Sequence, residues 1–396
     1  MSELSRLADQ LDGIGREQLT VPSSRKWSLH PETIGAWVAE MDFGTAPAIR
    51  DALHTAVDDG VLGYLSPSTA ADMADATAVW LAAEYGWAVP PERIHPVSDV
   101  VAALGVAVEH FSRPGSAVII PTPAYMPFHT YPPTLGREVV QVPGTEEDGR
   151  WRHDLEGIDA AFAAGAGTLV LCNPHNPTGA VLTREELEAI SVIVERHGGR
   201  VFADEIHAPV RYGPIAHIPY ASLSETTARH TITGTSASKA WNIPGLKAAQ
   251  LITSNDDDEA AYSRFGFAVV HGASTPGVIA TTAAYRDGKP WLEAVVDYLD
   301  RNRRLLGDLL TTSLPSIRYV APQATYLAWL DCRDLPIEGS AASFFREHAG
   351  VTVTDGALCG VGSEGFVRLV FAMPTPLLEE TVRRMGAAVD ALRTSR

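Results

Sequence analysis

Cysteine is scarce in this chain of 396 residues, which contains only three. Cys172, Cys332 and Cys359 are an odd number and show no metal-ligand or disulfide spacing. We therefore expect no metal site and no disulfide framework, and we favour the cytoplasm, a reducing compartment, as the location. Cys172 ends an apolar run and is predicted to be a small buried hydrophobic residue.

Positive charge is also in deficit, because 31 Lys and Arg face 48 Asp and Glu and the formal net charge is −17. An acidic chain of this kind repels nucleic acid and anionic membrane surfaces, so we expect neither as a partner. The sequence has no uninterrupted apolar run of about 18 residues, the length that a membrane span requires. Residues 1–4 lack the basic and apolar pattern of a signal peptide, and none is expected.

The length and the pattern along the chain predict an α/β protein of two domains. Residues 1–45 resemble a partly helical arm that packs with the second domain. Residues 46–285 alternate β-branched runs with helical stretches, which predicts a mostly parallel sheet covered on both faces. Residues 286–396 are expected to form a smaller α+β domain. The predicted strands of the large domain are 117–120, 138–142, 168–172, 200–203, 230–233 and 249–252.

A lysine among small hydroxyl residues is the most informative motif. Ser236 and Ser238 precede Lys239, and a second cation, Lys247, follows. This arrangement would suit covalent attachment of pyridoxal 5′-phosphate (PLP) to Lys239, with the hydroxyls and Lys247 meeting the phosphate. Alone, the string is more typical of a solvated surface lysine, and it is the motifs upstream that favour the cofactor.

Asp204 follows an apolar strand and is expected to point into the crevice at the carboxyl end of a parallel sheet. There it would pair with the protonated pyridine nitrogen of PLP, although a helix N-cap is the alternative. His207 would lie towards the 3′-oxygen of the cofactor, or would be a polar loop residue. Asn176 begins a rigid Asn-Pro-Thr-Gly turn and is placed to donate to the 3′-oxygen; a plain turn is the alternative.

Three further positions are weaker candidates. Val100 and Val101 lead into a helical run over 101–111 whose first backbone amides would bind a phosphate, and a plain N-cap at Asp99 is the alternative. Tyr125 follows a strand and would stack on the pyridine ring, or would be an ordinary loop aromatic. Arg368 lies inside an apolar strand, where a guanidinium needs a partner; a substrate carboxylate or an internal salt bridge would serve.

Together these residues resemble a known family, the fold-type I PLP enzymes of the aspartate aminotransferase superfamily. Within it, the chain is similar to the cystathionine β-lyase-type C–S lyases of the MalY/PatB subgroup. The resemblance runs nearly end to end. The motifs that carry it are Trp-Val-Ala-Glu-Met-Asp-Phe at 37–43, Gly-Tyr at 63–64, Asn-Pro-His-Asn-Pro-Thr-Gly at 173–179, Asp-Glu-Ile-His at 204–207, Ser-Lys-Ala-Trp-Asn at 238–242, Thr-Tyr-Leu-Ala-Trp-Leu-Asp at 325–331 and Arg-Leu at 368–369.

The resemblance implies a role for each candidate. Lys239 would be the Schiff-base lysine and proton shuttle, and Arg368 would bind the substrate α-carboxylate. Tyr64 would reach the phosphate in the neighbouring subunit's site, which implies a homodimer with shared sites. Tyr64 and Tyr125 would also contact the substrate. The catalytic set would be Lys239, Asp204, Tyr64 and Arg368, and the cofactor set would add Val100, Val101, Tyr125, Asn176, His207, Ser236, Ser238 and Lys247.

Three positions depart from the family pattern. Glu40 stands where Asp is usual, Val370 where many members have Asn, and Met373 where many have Cys. The expected activity is α,β-elimination of L-cystathionine or another S-substituted L-cysteine to a thiol, pyruvate and ammonia. Aminotransfer or decarboxylation of an amino acid at the same cofactor is the alternative, and a PLP-binding regulatory protein is a rival of another class.

Overall fold

The strands form two main sheets and two short pairs. The structure, a computed structural model, describes residues 3–147 and 149–394, with side chains from residue 7 onward, so Met1 and Ser2 of the signal-peptide expectation lie outside it. The strands are β1 Ile34–Gly35, β2 Ile94–Val97, β3 Val118–Thr122, β4 Val139–Pro143, β5 Thr145–Glu147, β6 Arg150–Arg152, β7 Thr168–Cys172, β8 Arg200–Asp204, β9 Thr231–Thr235, β10 Ala249–Thr253, β11 Arg318–Tyr319, β12 Leu327–Asp331, β13 Val351–Thr352, β14 Thr354–Asp355 and β15 Phe366–Val370.

Helices cover both sheets. They are α1 Glu3–Asp12, α2 Arg16–Leu19, α3 Arg25–Ser28, α4 Pro47–Asp58, α5 Pro67–Tyr85, α6 Val100–His110, α7 Met126–Thr134, α8 Leu155–Ala163, α9 Arg184–Arg196, α10 Glu225–His230, α11 Asp256–Tyr262, α12 Gly266–Val270, α13 Thr275–Asp287, α14 Lys289–Ser313, α15 Ala341–Phe344 and α16 Thr375–Thr394. In the described part of the chain, none of these is long and apolar enough to cross a membrane.

The larger sheet has seven strands in the order β2-β10-β9-β8-β7-β3-β4 and is parallel except at β10, which runs opposite to both neighbours. Its central strands are buried on both faces because alternate residues enter different cores. Val118 and Ile120 pack with α6, whereas Ile119 packs with α8 and α9. This is the mostly parallel, doubly covered sheet that the apolar runs predict. The edge strand β2 is an addition to that prediction.

The smaller sheet is antiparallel, in the order β11-β12-β15-β14, and α14 and α16 contribute to the core against it. The N-terminal segment joins this part of the molecule, since β1 pairs in parallel with β13. The arrangement is that of an α/β protein with a smaller α+β part. The domain boundaries at 45/46 and 285/286 stay a prediction.

A buried ion pair anchors the N-terminal segment to the residues that follow it. Lys26 Nζ donates to Asp42 Oδ2 at 2.8 Å, and the Trp27 indole donates to Asp42 Oδ1 at 2.8 Å. The side chains of Lys26 and Asp42 are 1% and 3% exposed. Both carboxylate oxygens of Asp42 therefore have hydrogen-bond partners inside the protein. These bonds hold the end of the 37–41 segment against helix α3, which contains Lys26 and Trp27.

We expect Asp42→Ala to destabilise the fold by about 3–5 kcal/mol, because it leaves the Lys26 ammonium buried without a counter-charge. The temperature of thermal unfolding should fall by several degrees. Glu188→Ala is the control, since its pair with Arg184 is exposed and 3.7 Å apart, and such pairs contribute little. Equal unfolding temperatures for the two variants would contradict the anchoring role.

Candidate active site

The carboxyl ends of the parallel strands open into a cavity of about 740 Å³. Cys172 and Asp204 are paired at the ends of β7 and β8, and the Asn173 amide continues the ladder by donating to Asp204 O at 2.9 Å. Ligands bind at this edge of open α/β sheets. The cavity is closed on the other side by residues of the N-terminal segment and of the smaller sheet, including Trp37, Glu40 and Thr354.

Lys239 lies in this cavity, in the loop after β9. Its Nζ donates to the carbonyl oxygen of Ala39 at 3.1 Å, and the same oxygen accepts from the Tyr326 hydroxyl at 3.0 Å. Burial, with the nearby Arg368 cation, lowers the pKa of Lys239 to about 8. A neutral amine is therefore accessible near neutrality, which is what a nucleophilic or basic lysine needs.

Asn242 joins the Lys239 loop to the N-terminal segment. Its side-chain oxygen accepts from Met41 N at 2.8 Å, and its nitrogen donates to Met41 O and Gly44 O, each at 2.9 Å. Its φ of 57° is left-handed, a conformation that Asn adopts more readily than most residues. The loop that contains Lys239 and the segment that contains Ala39, whose carbonyl accepts from Lys239, are thus joined by hydrogen bonds.

Asp204 is 4% exposed, and no cationic side chain hydrogen-bonds to it in the described part of the chain. Its Oδ1 accepts from Ile206 N at 3.1 Å, and the Cys172 thiol lies 3.9 Å from Oδ2. Burial raises the pKa of Asp204 to about 7. A buried carboxylate that lines a cavity and has no hydrogen-bonded cation among the described residues is suited to a cationic N–H donor, such as a protonated ring nitrogen.

Arg368 is 2% exposed, and its partners are neutral oxygens. Nη1 donates to Asn176 Oδ1 at 3.0 Å, and Nη2 donates to Trp37 O at 3.0 Å and to Thr354 Oγ1 at 3.3 Å. No carboxylate pairs with it among the residues described, so the internal salt bridge weighed from the sequence is not formed. The guanidinium remains available to an anion in the cavity, and Asn176 keeps its amide nitrogen for a second acceptor.

The start of α6 forms the opposite wall. Asp99 caps this helix, with Oδ1 accepting from Ala102 N at 2.8 Å and Oδ2 pairing with Lys247 Nζ at 2.9 Å. The first amides, those of Val100 and Val101, have no partner within the helix and suit an anionic group. Both residues line the cavity, as do Lys247 and Ser238.

The remaining candidates divide into two groups. Tyr125 and His207 line the cavity. Burial lowers the pKa of His207 to about 3, so its ring is neutral, and its Nδ1 has no partner within the described chain. Ser236 does not line the cavity. Its hydroxyl is engaged within the protein, where it donates to Ala248 O and accepts from Ser238 N. Tyr64 is also outside the cavity and is 96% exposed.

Sequence reasoning gave no role to several residues that build the site. Trp37 and Ala39 act through their carbonyl oxygens, and Tyr326 and Asn242 hold the same segment. A backbone acceptor leaves no signal in residue type. The motifs at 37–43, 238–242 and 325–331 did contain these positions, but only as marks of resemblance.

The comparisons with known proteins agree with this geometry. A family of proteins described as aminotransferase class I and II matches residues 37–385. The chain belongs to this family. It is 38% identical to a cystathionine beta-lyase of Corynebacterium glutamicum over 94% of this chain and 98% of the relative. It is 34% identical to cystathionine beta-lyase PatB of Bacillus subtilis over 95% and 99%. The PLP-bound C–S lyase of Staphylococcus hominis superposes with a TM-score of 0.86 at 29% identity, over 96% of this chain and 97% of that one.

The cavity fits the PLP that the sequence resemblance implies. It contains a lysine of lowered pKa, an unpaired buried carboxylate and a helix start with free amides beside Lys247. These are the groups required for an aldehyde, a ring nitrogen and a phosphate. No group of three or more metal-ligating side chains occurs among residues 3–147 and 149–394.

We expect PLP followed by borohydride to label Lys239. Labelling should rise with a midpoint near pH 8, because deprotonation of this lysine, whose pKa is about 8, exposes the amine. Peptide mass spectrometry identifies the modified residue, and Lys239→Arg is the control that should remain unlabelled. Lys247 is engaged by Asp99, so a label on Lys247 in place of Lys239 would overturn the assignment.

Proposed function

We propose that this chain is a PLP-dependent C–S β-lyase that acts on L-cystathionine or other S-substituted L-cysteines and forms a thiol, pyruvate and ammonia. The observation that carries the proposal is that one cavity contains both Lys239, whose pKa is lowered, and the buried Arg368. Arg368 has no carboxylate partner among the described residues. The near full-length identity to cystathionine beta-lyases supports it.

When bound, PLP supplies an electron sink for carbanionic chemistry at Cα of an amino acid. Arg368 binds the substrate α-carboxylate and orients the Cα–H bond towards Lys239. Lys239 takes the Cα proton, and the electron pair forms the Cα=Cβ bond as the Cβ–S bond breaks and the thiolate leaves. The released enamine tautomerises and reacts with water to give pyruvate and ammonia.

The role of Asp204 in this chemistry is electrostatic. Its buried carboxylate stabilises positive charge on a ring nitrogen, and this charge is what allows the cofactor to accept electrons. Val100, Val101, Ser238 and Lys247 would hold the phosphate of the cofactor. Tyr125 would stack on the ring, and Asn176 and His207 would meet its 3′-oxygen. Three free, buried cysteines accord with a cytoplasmic location.

Incubation with L-cystathionine should yield pyruvate, ammonia and homocysteine in equal amounts, because β-elimination breaks the Cβ–S bond on the cysteine side. Lactate dehydrogenase coupling measures the pyruvate, and mass spectrometry identifies the thiol. Lys239→Ala is the matched control and should form none of the three. A keto acid that retains the sulfur would indicate aminotransfer, release of CO2 would indicate decarboxylation, and either would replace the elimination proposal.

We also propose a homodimer in which Tyr64 enters the partner's site. Tyr64 is exposed, and the backbone just before it is fixed by Thr275. The Thr275 hydroxyl donates to Gly63 O at 2.8 Å. Val57, Val61 and Leu62, which precede it in the chain, are also exposed. Exposed apolar side chains are common at interfaces, and two-fold dimers are the commonest assembly.

Mixing Tyr64→Ala with Lys239→Ala subunits should restore activity that each variant lacks. In a mixed dimer, the site that retains Lys239 receives an intact Tyr64 from its partner, so one of the two sites is complete and the isolated mixed dimer should show about half of wild-type activity. Co-expression with two affinity tags isolates the mixed dimer, and its pyruvate formation is assayed. A mixed dimer without activity, or an active monomer in sedimentation, would contradict a shared site.

A further inference from the structure

Two arginines at the mouth of the cavity take no part in the chemistry proposed above. Arg25 and Arg346 both line the cavity and are exposed. Arg25 forms no ion pair with a described residue, and its guanidinium lies 6.0 Å from the centre of the Trp37 ring. Among the described residues, Arg346 pairs only with its neighbour Glu347, 3.7 Å away. Two weakly engaged cations that line one cavity are unexpected in a chain with a net charge of −17.

The other cations of the cavity already have partners or roles. Lys247 pairs with Asp99, Lys239 meets the cofactor, and Arg368 is left for the α-carboxylate. None of the acidic residues that line the cavity forms an ion pair with Arg25 or Arg346 in the described part of the chain. Asp355 already accepts from Ser340 Oγ at 2.5 Å and from Ala357 N at 3.0 Å.

Glu40 decides where a second substrate anion can bind. Its side chain lines the cavity and forms no hydrogen bond or ion pair within the described chain, and its charge acts to raise the pKa of Lys239. A carboxylate on the departing half of the substrate is repelled from this inner region. The cationic mouth is the position that attracts it.

Trp37 connects the two cationic positions. Its carbonyl oxygen accepts from Arg368 Nη2 at 3.0 Å, and its ring lies beneath Arg25. One residue therefore separates the guanidinium for the α-carboxylate from the guanidinium at the mouth. A cysteine S-conjugate with carboxylates at both ends requires this order, with one carboxylate at Cα and the other beyond the sulfur.

We propose that Arg25 and Arg346 bind a carboxylate on the leaving thiol and give the enzyme its preference for S-conjugates with an anionic leaving group. The inference rests on the proposed β-lyase function and adds the residues that select the substrate. Both arginines are specificity residues and do not touch the reacting atoms.

The test compares S-(2-carboxyethyl)-L-cysteine with S-ethyl-L-cysteine, which lacks the distal carboxylate. The measured quantity is the ratio of the two kcat/KM values in the PLP-loaded dimer, so that any general loss of activity cancels. Wild type should favour the carboxylated substrate. Arg25→Gln and Arg346→Gln should each lower the ratio about fivefold, the size expected of a charge pair in contact with water. Arg346→Lys should give an intermediate ratio, because it keeps the charge and loses the fork.

Arg184→Gln is the control, because Arg184 is another exposed arginine with a single weak partner, at 3.7 Å, and does not line the cavity. It should leave the ratio at the wild-type value. Added salt should lower the ratio in wild type, because the mouth is open to solvent. An unchanged ratio in both glutamine variants, or an equal loss on both substrates including complete inactivation, would overturn the inference. If wild type forms no pyruvate from either substrate, the proposed function itself fails.

Discussion

The burial of one guanidinium without a counter-charge is the constraint on which the site depends. Arg368 lies in the smaller sheet and donates to Asn176 of the larger part, to Trp37 of the N-terminal segment and to Thr354 of its own sheet. Three distant segments of the chain are thereby required to supply oxygens to one cation. Neutral oxygens accept from its two Nη atoms, whereas its buried Nε has no partner among the described residues and its charge is not neutralised, so the position favours an anionic ligand.

The same N-terminal segment sets the state of Lys239. Ala39 O accepts from both Lys239 and Tyr326, while Asn242 fixes the neighbouring backbone. Burial and the Arg368 cation lower the pKa of this lysine. The lowered pKa of Lys239 therefore depends on the packing of the N-terminal segment against the two sheets. The buried Lys26–Asp42 pair stabilises that segment.

The strands of the larger sheet were predictable because they are nearly continuous apolar, β-branched runs. Each of the six predicted strands begins within one residue of the observed start. The edge strand Ile94–Val97 was missed because it contains His95 and Pro96, residues that an edge strand tolerates. The reversal of β10 was not predictable, since hydrophobic periodicity carries no direction. Asp204 and Arg368 were singled out because charged groups beside or inside apolar strands need a reason. Lys239 was singled out by the serines and the second cation around it, and Tyr64 through resemblance alone.

Two of the oxygens that hold the site, those of Trp37 and Ala39, belong to the backbone, and this has a consequence for how the enzyme can diverge. Every amino acid supplies the same backbone carbonyl, so substitutions in this segment can leave the hydrogen bonds to Arg368 and Lys239 intact. Val38 and Glu40 meanwhile line the cavity. Substrate range can thus drift by point mutation while the reaction centre is inherited unchanged, which separates the evolution of selectivity from that of catalysis.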